Sequence, residues 1–455
     1  MKIGFLALSG IRACDPELVA LGLTLPGVLE RSKVVAALPS LGLLTLAGMT
    51  PAEHELAYVE VTDPQRLEQL PTGFDLVAIS SLSAQIKDAY AIAAHYRAAG
   101  VPAVMGGLHV TARPEEPARH GAAAVIGEGE LVWHQVLADA ARGALAPVYD
   151  ARGRDFDLAR APLPAFELLE PGRYNRFTVQ TSRGCPWRCN FCASSILLTQ
   201  KYKQKPVGKV LAEIDRLRAL FPRPFIEFAD DNSFVHRAYW YELLPELKAR
   251  RIRWFTETDL SVYRDERLLE LMREAGCVEV LIGFESPSRR ALDGVELKRN
   301  FKHARFDEYR AAIRTIQRHG IRVNACFVVG LDGHGPGVVD ELLEFVRETP
   351  SFDVQVTVPT AFPGTPLWRQ LEREGRLLDA DAYERCTLFD VNFEPRGMSV
   401  GALRAAMRRL VVELYGEAAT TARRDEFHAT WLREQARRRA ARPSARLARP
   451  VPAAS

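Results

Sequence analysis

Apolar positions in the first 143 residues fall into short continuous runs, separated by amphipathic stretches with a helical period. The runs Ile3 to Leu8, Leu56 to Val61, Leu76 to Ser80, Ala103 to Gly106 and Ala123 to Ile126 read as strands of an open, mostly parallel sheet covered on both faces. Between them, Ile86 to Ala99 and Glu130 to Arg142 read as helices that stop at Gly100 and Gly143, where glycine supplies the left-handed cap. Residues 1–143 are therefore expected to form a Rossmann-like α/β domain. Ligands of such sheets bind at the carboxyl ends of the strands, so Ser80-Ser81-Leu82, Gly106-Gly107-Leu108-His109 and Gly127-Glu128-Gly129-Glu130 are expected along one rim.

Residues 144–174 contain Pro147, Pro162, Pro164 and Pro171 and few periodic runs, and read as a linker. Over 175–368 the alternation restarts, with strands near 176–182, 224–229, 253–258, 278–283, 322–329 and 353–359. Amphipathic helices separate them, as at Val207, Val210, Leu211, Ile214 and Leu217. Six such units predict a partial (β/α)6 barrel of the TIM type, with its chemistry at the carboxyl ends of the strands. Residues 369–432 read as a helical extension with an irregular segment from Tyr383 to Met398. Residues 433–455, crowded with Arg433, Arg437, Arg438, Arg439, Arg442, Arg446 and Arg449, read as a solvated, disordered tail.

With 455 residues, 47% hydrophobic and 26% charged, the chain is long enough for two or three domains with separate cores. The formal net charge of +3 is concentrated in the tail, which leaves a near-neutral body and disfavours nucleic acid as a partner. The longest apolar stretch, Val34 to Met49, is broken by Pro39, Ser40 and Gly42 and is too short for a membrane span. Seven cysteines, three of them in one loop, do not make a secreted disulfide framework, so a reducing, cytoplasmic setting is expected. Cys14, Cys277, Cys326 and Cys386 stand singly and read as buried free thiols.

The chemistry is concentrated in Thr-Ser-Arg-Gly-Cys-Pro-Trp-Arg-Cys-Asn-Phe-Cys, where Cys185, Cys189 and Cys192 follow a strand in CxxxCxxC spacing. Three thiolates so placed can hold three irons of a cubane [4Fe–4S] cluster and leave the fourth iron open to S-adenosylmethionine. Structural zinc is the competing reading, but it asks for four ligands, and no second cysteine pair is present. The spacing, with Phe191 just before the third cysteine, resembles the radical S-adenosylmethionine superfamily. That resemblance places Phe191 near the adenine of S-adenosylmethionine, against the plainer reading that it packs the loop. It assigns Asp230 and Asp231, at the end of the second barrel strand, to the amino group of the methionine moiety, against helix capping by Asp231 or Asn232. It gives Glu285, at the end of the fourth strand, to the ribose, against an ion pair with Arg289.

Gly106-Gly107-Leu108-His109, Gly127-Glu128-Gly129-Glu130, the cysteine loop, Asp-Asp-Asn, Gly-Phe-Glu-Ser and Pro-Gly-Thr-Pro-Leu occur in the order found in the subgroup with an N-terminal cobalamin domain. Cobalamin domains of this kind share a DxHxxG loop, an SxL and a GG. Ser80-Ser81-Leu82 and Gly106-Gly107 supply the last two, while the DxHxxG loop is missing before Pro39. The resemblance thus assigns cobalamin to Ser80, Leu82, Gly106, Gly107, Gly127, Glu128 and Gly129, without a lower axial histidine. His109 is the remaining imidazole on that rim, a corrin neighbour or a hydrogen-bonded loop residue. The subgroup implies methyl transfer to an unactivated carbon of a small metabolite or natural-product intermediate, with flavodoxin or ferredoxin as electron donor. Radical cyclisation or rearrangement with cobalamin as electron carrier, or a cobalamin sensor without chemistry, are the alternatives.

Overall fold

The structure, a computed structural model, describes residues 1–8, 10, 13–21, 38–194 and 201–441. Its first sheet contains β1 (Lys2–Leu8), β2 (Glu55–Val61), β3 (Leu76–Ser80), β4 (Ala103–Gly106), β5 (Ala122–Ile126) and β6 (Val148–Asp150). All pair in parallel, in the order β2-β1-β3-β4-β5-β6. Successive residues point to opposite faces, and both faces are covered. Leu6, Val77, Ile79 and Met105 pack toward helix Ile86–Ala98. Ile3, Phe5, Leu76 and Val104 pack toward helices Leu41–Met49 and Trp133–Ala141. β6 falls inside the segment expected to be a linker. It is a three-residue edge strand with Val148 exposed, too short to leave a periodic signal.

The rest of that segment is packed rather than loose. Ala165 N–H donates to Leu44 O at 3.0 Å, and a methyl group added at Gly48 would lie 2.1 Å from Leu163 O. The helix that fronts the first sheet is thereby fixed to the chain leading into the second.

The second sheet contains β7 (Phe177–Val179), β10 (Phe225–Phe228), β11 (Arg253–Thr258), β12 (Cys277–Glu285), β13 (Arg322–Val328) and β14 (Asp353–Thr357), parallel in the order β14-β13-β12-β11-β10-β7. The short antiparallel pair β8 (Ser182–Arg183) and β9 (Lys203–Gln204) brackets the cysteine loop. All six expected barrel strands are present. On β13, Val323, Ala325 and Phe327 are buried under the helices, while Arg322, Asn324 and Cys326 face the lumen. The register aligns Glu227 with Phe255, Phe255 with Glu279 and Glu279 with Arg322 on that inner face.

Helices Val400–Tyr415 and Glu417–Ala441 close the far edge, where Tyr415 Oη accepts from Val356 N–H at 2.9 Å. The second helix corrects the expected tail, since it runs through residues 433–441. Arg433 pairs with Glu426, and Arg438 pairs with Glu434 and Glu270, so local ion pairs along the helix balance the arginines. Residues 442–455 of that tail lie outside the described residues. Among the described residues no helix is long and apolar enough to cross a membrane. Cys277 and Cys386 are buried as expected, Cys326 is half-buried, and Cys14 is exposed, its thiol 3.3 Å from Glu384 O.

Gly48→Ala is expected to lower stability by about 1–3 kcal/mol, the cost of overpacking against a backbone carbonyl. Urea unfolding checks this, and an unchanged midpoint would show that the linker is not docked on the helix.

Candidate functional site

The cysteine segment leaves β7 at the carboxyl edge of the second sheet, and buried carboxylates hold its backbone. Asp230, just past β10, accepts from Thr181 N–H at 2.7 Å, Ser182 N–H at 2.9 Å, Ser233 Oγ at 2.9 Å and Thr181 Oγ1. Asp231 accepts from Gly184 N–H at 2.7 Å and from Ser194 Oγ. From the β12 side, buried Glu296 accepts from Arg188 N–H at 3.0 Å and from the N–H groups of Lys298, Arg299 and Phe301. Asn190 N–H donates to Val295 O at 2.9 Å. Trp187 stacks on Phe301 at 3.9 Å, and its Nε1 donates to Asp259.

The three thiols sit inside this brace. Asn232 Nδ2 lies 3.8 Å from Cys185 Sγ, and Cys192 N–H donates to Cys189 O. Burial pushes the Cys185 thiol up to about 11 and the Cys189 thiol up to about 12, and the thiols raise one another further. Cys185 and Cys189 are therefore protonated at neutral pH, and a metal must displace those protons. Among the described residues no three His, Cys, Asp or Glu side chains converge closely enough for a single ion. Phe191 packs on Ala291, Val295, Val328 and Leu331, next to the end of β13.

At the end of β12, Glu285 adopts φ +65° and its Oε1 accepts from Lys302 Nζ, which also donates to Gly283 O at 2.6 Å. A side chain at position 283 would collide with both, 2.4 Å from Glu285 Oε1 and 2.8 Å from Lys302 Nζ. Burial would lower the Lys302 pKa, but the charge of Glu285 outweighs it and raises it. Arg289, the partner considered for Glu285 from sequence, pairs instead with Asp307. Deeper in the lumen Glu257 has no hydrogen-bond or ion-pair partner among the described residues. Its side chain is exposed to the open lumen, and enclosure by the barrel walls, reinforced by Glu227 and the two aspartates, pushes its pKa up to about 8.

A cleft of about 330 Å³ opens between the two sheets. One wall is the carboxyl edge of the first sheet: Ser80, Gly106, Gly107, Gly127, Glu128 and Gly129. Gly107 has φ +108°, and a Cβ there would sit 3.6–3.7 Å from Ser81 O and Ser80 Oγ, so the bare backbone faces the cleft. Leu41, Leu43, Leu46 and Trp133 make an apolar side, and the opposite end reaches Gln180, Arg183, Ser194 and Asp231 of the cysteine loop. Arg183 joins the domains, donating to Glu128 at 2.7 Å and Glu130 at 2.8 Å, while Lys203 donates to Glu128 at 2.7 Å. Burial opposes ionisation of Glu130, but Arg183 lowers its pKa below the ordinary value.

The cleft thus brings Asp231 and the flanks of the cysteine loop, Arg183 and Ser194, to the glycine rim; the cysteines and Phe191 are not among its lining residues, and two other expected residues lie off it. Leu82 is 47% exposed and does not line the cleft. His109 is buried, its Nε2 3.2 Å from Glu116 and its ring 4.5 Å edge-on to Tyr383, and it too lies off the cleft. Asp230 spends its carboxylate on the loop backbone. Lys302, Arg183 and Glu257 were not singled out in the sequence. Only their placement opposite Glu285, opposite Glu128 and inside the barrel marks them.

Residues 179–346 match the family described as Radical SAM superfamily, and residues 30–137 match the B12 binding domain. Residues 365–449 match a domain of unknown function (DUF4070). The chain is 31% identical over 349 residues to the uncharacterized methyltransferase sll1242 of Synechocystis, covering 75% of this chain and 64% of that protein. It therefore spans under two thirds of that relative's length. It is 24% identical to the bacteriochlorophyllide d C-12(1)-methyltransferase of Chlorobaculum tepidum, with 86% of each chain covered. Its fold superposes on the radical S-adenosylmethionine methyltransferase TsrM of Kitasatospora setae with a TM-score of 0.65 at 15% identity, over 96% of this chain and 99% of that one.

Arg183→Ala leaves buried Glu130 without its cation and Glu128 with Lys203 alone, and is expected to cost about 3 kcal/mol in urea unfolding; a loss under about 0.5 kcal/mol would show the bridge to be a surface pair. Glu257 carries a pKa above its ordinary 4.5, so the stability it contributes is present below that value and is lost as pH rises through about 8. Glu257→Gln removes the titration, so the fall in melting temperature between about pH 5 and about pH 8.5 should shrink relative to wild type. An unchanged fall would show that neither the barrel walls nor the neighbouring carboxylates shift its titration.

Proposed function

This chain belongs to the cobalamin-binding radical S-adenosylmethionine family, and from that membership we propose that it is a methyltransferase acting on a carbon of a small metabolite or natural-product intermediate. The observation that carries the reading is the shared cleft: the glycine rim of the first sheet and the flanks of the cysteine loop, Arg183 and Ser194 with Asp231, line one space. Cys185, Cys189 and Cys192 would hold three irons of a [4Fe–4S] cluster, and the rim from Ser80 to Gly129 would hold cobalamin. The donor sets fit: three thiols on a braced loop, bare glycine backbone for a nucleotide tail, and an apolar wall of leucines for a corrin face. When bound, the cluster supplies one electron to cleave S-adenosylmethionine and cobalamin carries the methyl group.

The chain's own side chains orient the reactants. Asp231, whose oxygens keep lone pairs after bonding Gly184 and Ser194, receives the methionine ammonium; Asp230 is consumed by the loop and is withdrawn from that role. Lys302 occupies Oε1 of Glu285, which leaves Oε2 toward ribose hydroxyls. Phe191 lines the adenine side.

Anaerobic reconstitution with iron, sulfide and hydroxocobalamin tests this. Wild-type protein should keep the cobalamin absorption through gel filtration, release 5′-deoxyadenosine under a chemical reductant, and pass a deuterated methyl group from labelled S-adenosylmethionine to a component of a small-molecule extract. Cys189→Ala should reduce 5′-deoxyadenosine to background. A colourless protein, or undiminished product from Cys189→Ala, contradicts the proposal. A product that loses hydrogen without gaining the label favours the cyclase reading.

A further inference from the structure

Acids on the inner face of the second sheet have cations beside them, with one exception. Glu227 pairs with Arg176 at 2.8 Å, Asp353 with Arg424 at 3.2 Å and Glu285 with Lys302, while Arg322 stands across from Glu279 on the adjacent strand. Glu257 has no such neighbour. The charges that act on it are those of Glu227, Asp231 and Asp230, all of them acids. Trp254, Thr256 and Thr258 of the same strand are buried, whereas Glu257 is exposed into the lumen. A carboxyl held among like charges, open to a ligand and without a partner of its own, contributes nothing to the fold that a neutral side chain would not.

Its place in the sheet ties it to the cleft. Phe228 is the partner of Thr256, so the next position along each strand sets Ala229 beside Glu257. Ala229, with Gln180 just past β7, lines the cleft, and Glu257 therefore faces the foot of the space between the glycine rim and the flanks of the cysteine loop. On its other side Glu257 is in register with Leu281, and Leu281 with Asn324. Asn324 is only 4% exposed, yet its Oδ1 has no hydrogen-bond partner among the described residues. An orphaned buried acceptor is costly, and a donor brought by a ligand removes the cost. The row thus carries two acceptors without donors, on either side of half-buried Leu281 and below half-buried Cys326 and Gln355. Such a surface asks for hydrogen-bond donors on a partly apolar body.

We infer that Glu257 is the charge receptor of the substrate site: with Asn324 Oδ1 it takes a cationic nitrogen, so the methyl acceptor is an amine- or guanidine-bearing molecule rather than a neutral or acidic one. Without a cation beside it the acid keeps its proton at neutral pH. An arriving cation favours the carboxylate, and the proton leaves to solvent. An anionic ligand would stand against Glu227, Asp230 and Asp231 as well. The inference rests on the proposed function only for the identity of the ligand as the methyl acceptor. The receptor itself is a property of the lumen.

The test uses the anaerobically reconstituted protein and a small-molecule extract separated by ion exchange into cationic, neutral and anionic fractions. Components that the protein retains through ultrafiltration are identified by mass spectrometry, and transfer of a deuterated methyl group from labelled S-adenosylmethionine is followed in each fraction. The inference predicts that wild type retains cationic components and labels a member of that fraction, and that Glu257→Gln retains them at least about tenfold more weakly. Glu257→Lys should shift retention toward the anionic fraction, which a loss of packing does not do. If Glu257→Lys does not fold, the isosteric Glu257→Gln carries the test. Glu279→Gln, which removes an acid that already has an arginine across from it, should retain the cationic set as wild type does. Retention confined to neutral or anionic components, equal retention by Glu257→Gln and wild type, or equal weakening in Glu279→Gln overturns the inference. So does a Glu257→Gln protein whose only defect is in affinity for S-adenosylmethionine, because the cation would then be the cosubstrate's. Cationic components held through Glu257 without label transfer count against the proposed methyl transfer and leave the receptor standing; label found in the neutral fraction does the reverse.

Discussion

The constraint on which the site depends is the need to hold an eight-residue thiol loop in one shape inside protein. Buried N–H groups without acceptors are costly, and a loop cannot satisfy them from within. Here carboxylates do it: Asp230 for Thr181 and Ser182, Asp231 for Gly184, Glu296 for Arg188. Charged acceptors give short, strong bonds, and they come from two stretches of the second sheet's carboxyl edge, the adjacent aspartates after β10 and Glu296 after β12. The loop is therefore only as well ordered as the strands β10 and β12 that present its acceptors. That ties the chemistry to the sheet rather than to the local sequence of the cysteines.

A second consequence concerns the junction of the domains. The glutamates of Gly127-Glu128-Gly129-Glu130 lie on the rim of the first sheet, yet both grip Arg183, two residues before Cys185. Glu128 also takes Lys203 and the Phe156 N–H, which links both strands of the small hairpin framing the loop to the first domain. The segment that looks from sequence like a pure ligand rim thus has two tasks: its glycines leave room in the cleft, and its carboxylates fix how far that cleft lies from the thiols. Lys302 plays a similar part on the opposite side, where its ammonium holds Glu285 in a left-handed conformation that only a firm partner makes tolerable.

Much of this architecture was legible in the chain, because strands covered on both faces leave continuous apolar runs and helices leave a period of about 3.6. All five expected strands of the first sheet and all six of the second occur within a residue or a few of their expected limits. The misses share a cause. β6 is three residues long on an edge, and the helix through 433–441 is stabilised by ion pairs rather than by an apolar stripe, so neither has a hydrophobic signature. The thiol loop was legible from spacing, but the brace around it was not: Asp230 reads as a ligand in isolation, and only the fold shows four donors already pointing at it. His109 reads as an available imidazole until Glu116 and Tyr383 are seen to enclose it. Partners such as Arg183 with Glu128, or Lys302 with Glu285, depend on which loops meet, information that periodicity does not contain.

The account stands on an iron–sulfur cubane held by three thiols with one open iron. Electron paramagnetic resonance of the anaerobically reconstituted, reduced protein tests that most directly, read together with its iron and sulfide content. The account predicts iron and sulfide in cubane proportion and a reduced-cluster signal that shifts when S-adenosylmethionine is added. Zinc in place of iron, or a cluster signal indifferent to S-adenosylmethionine, would contradict it.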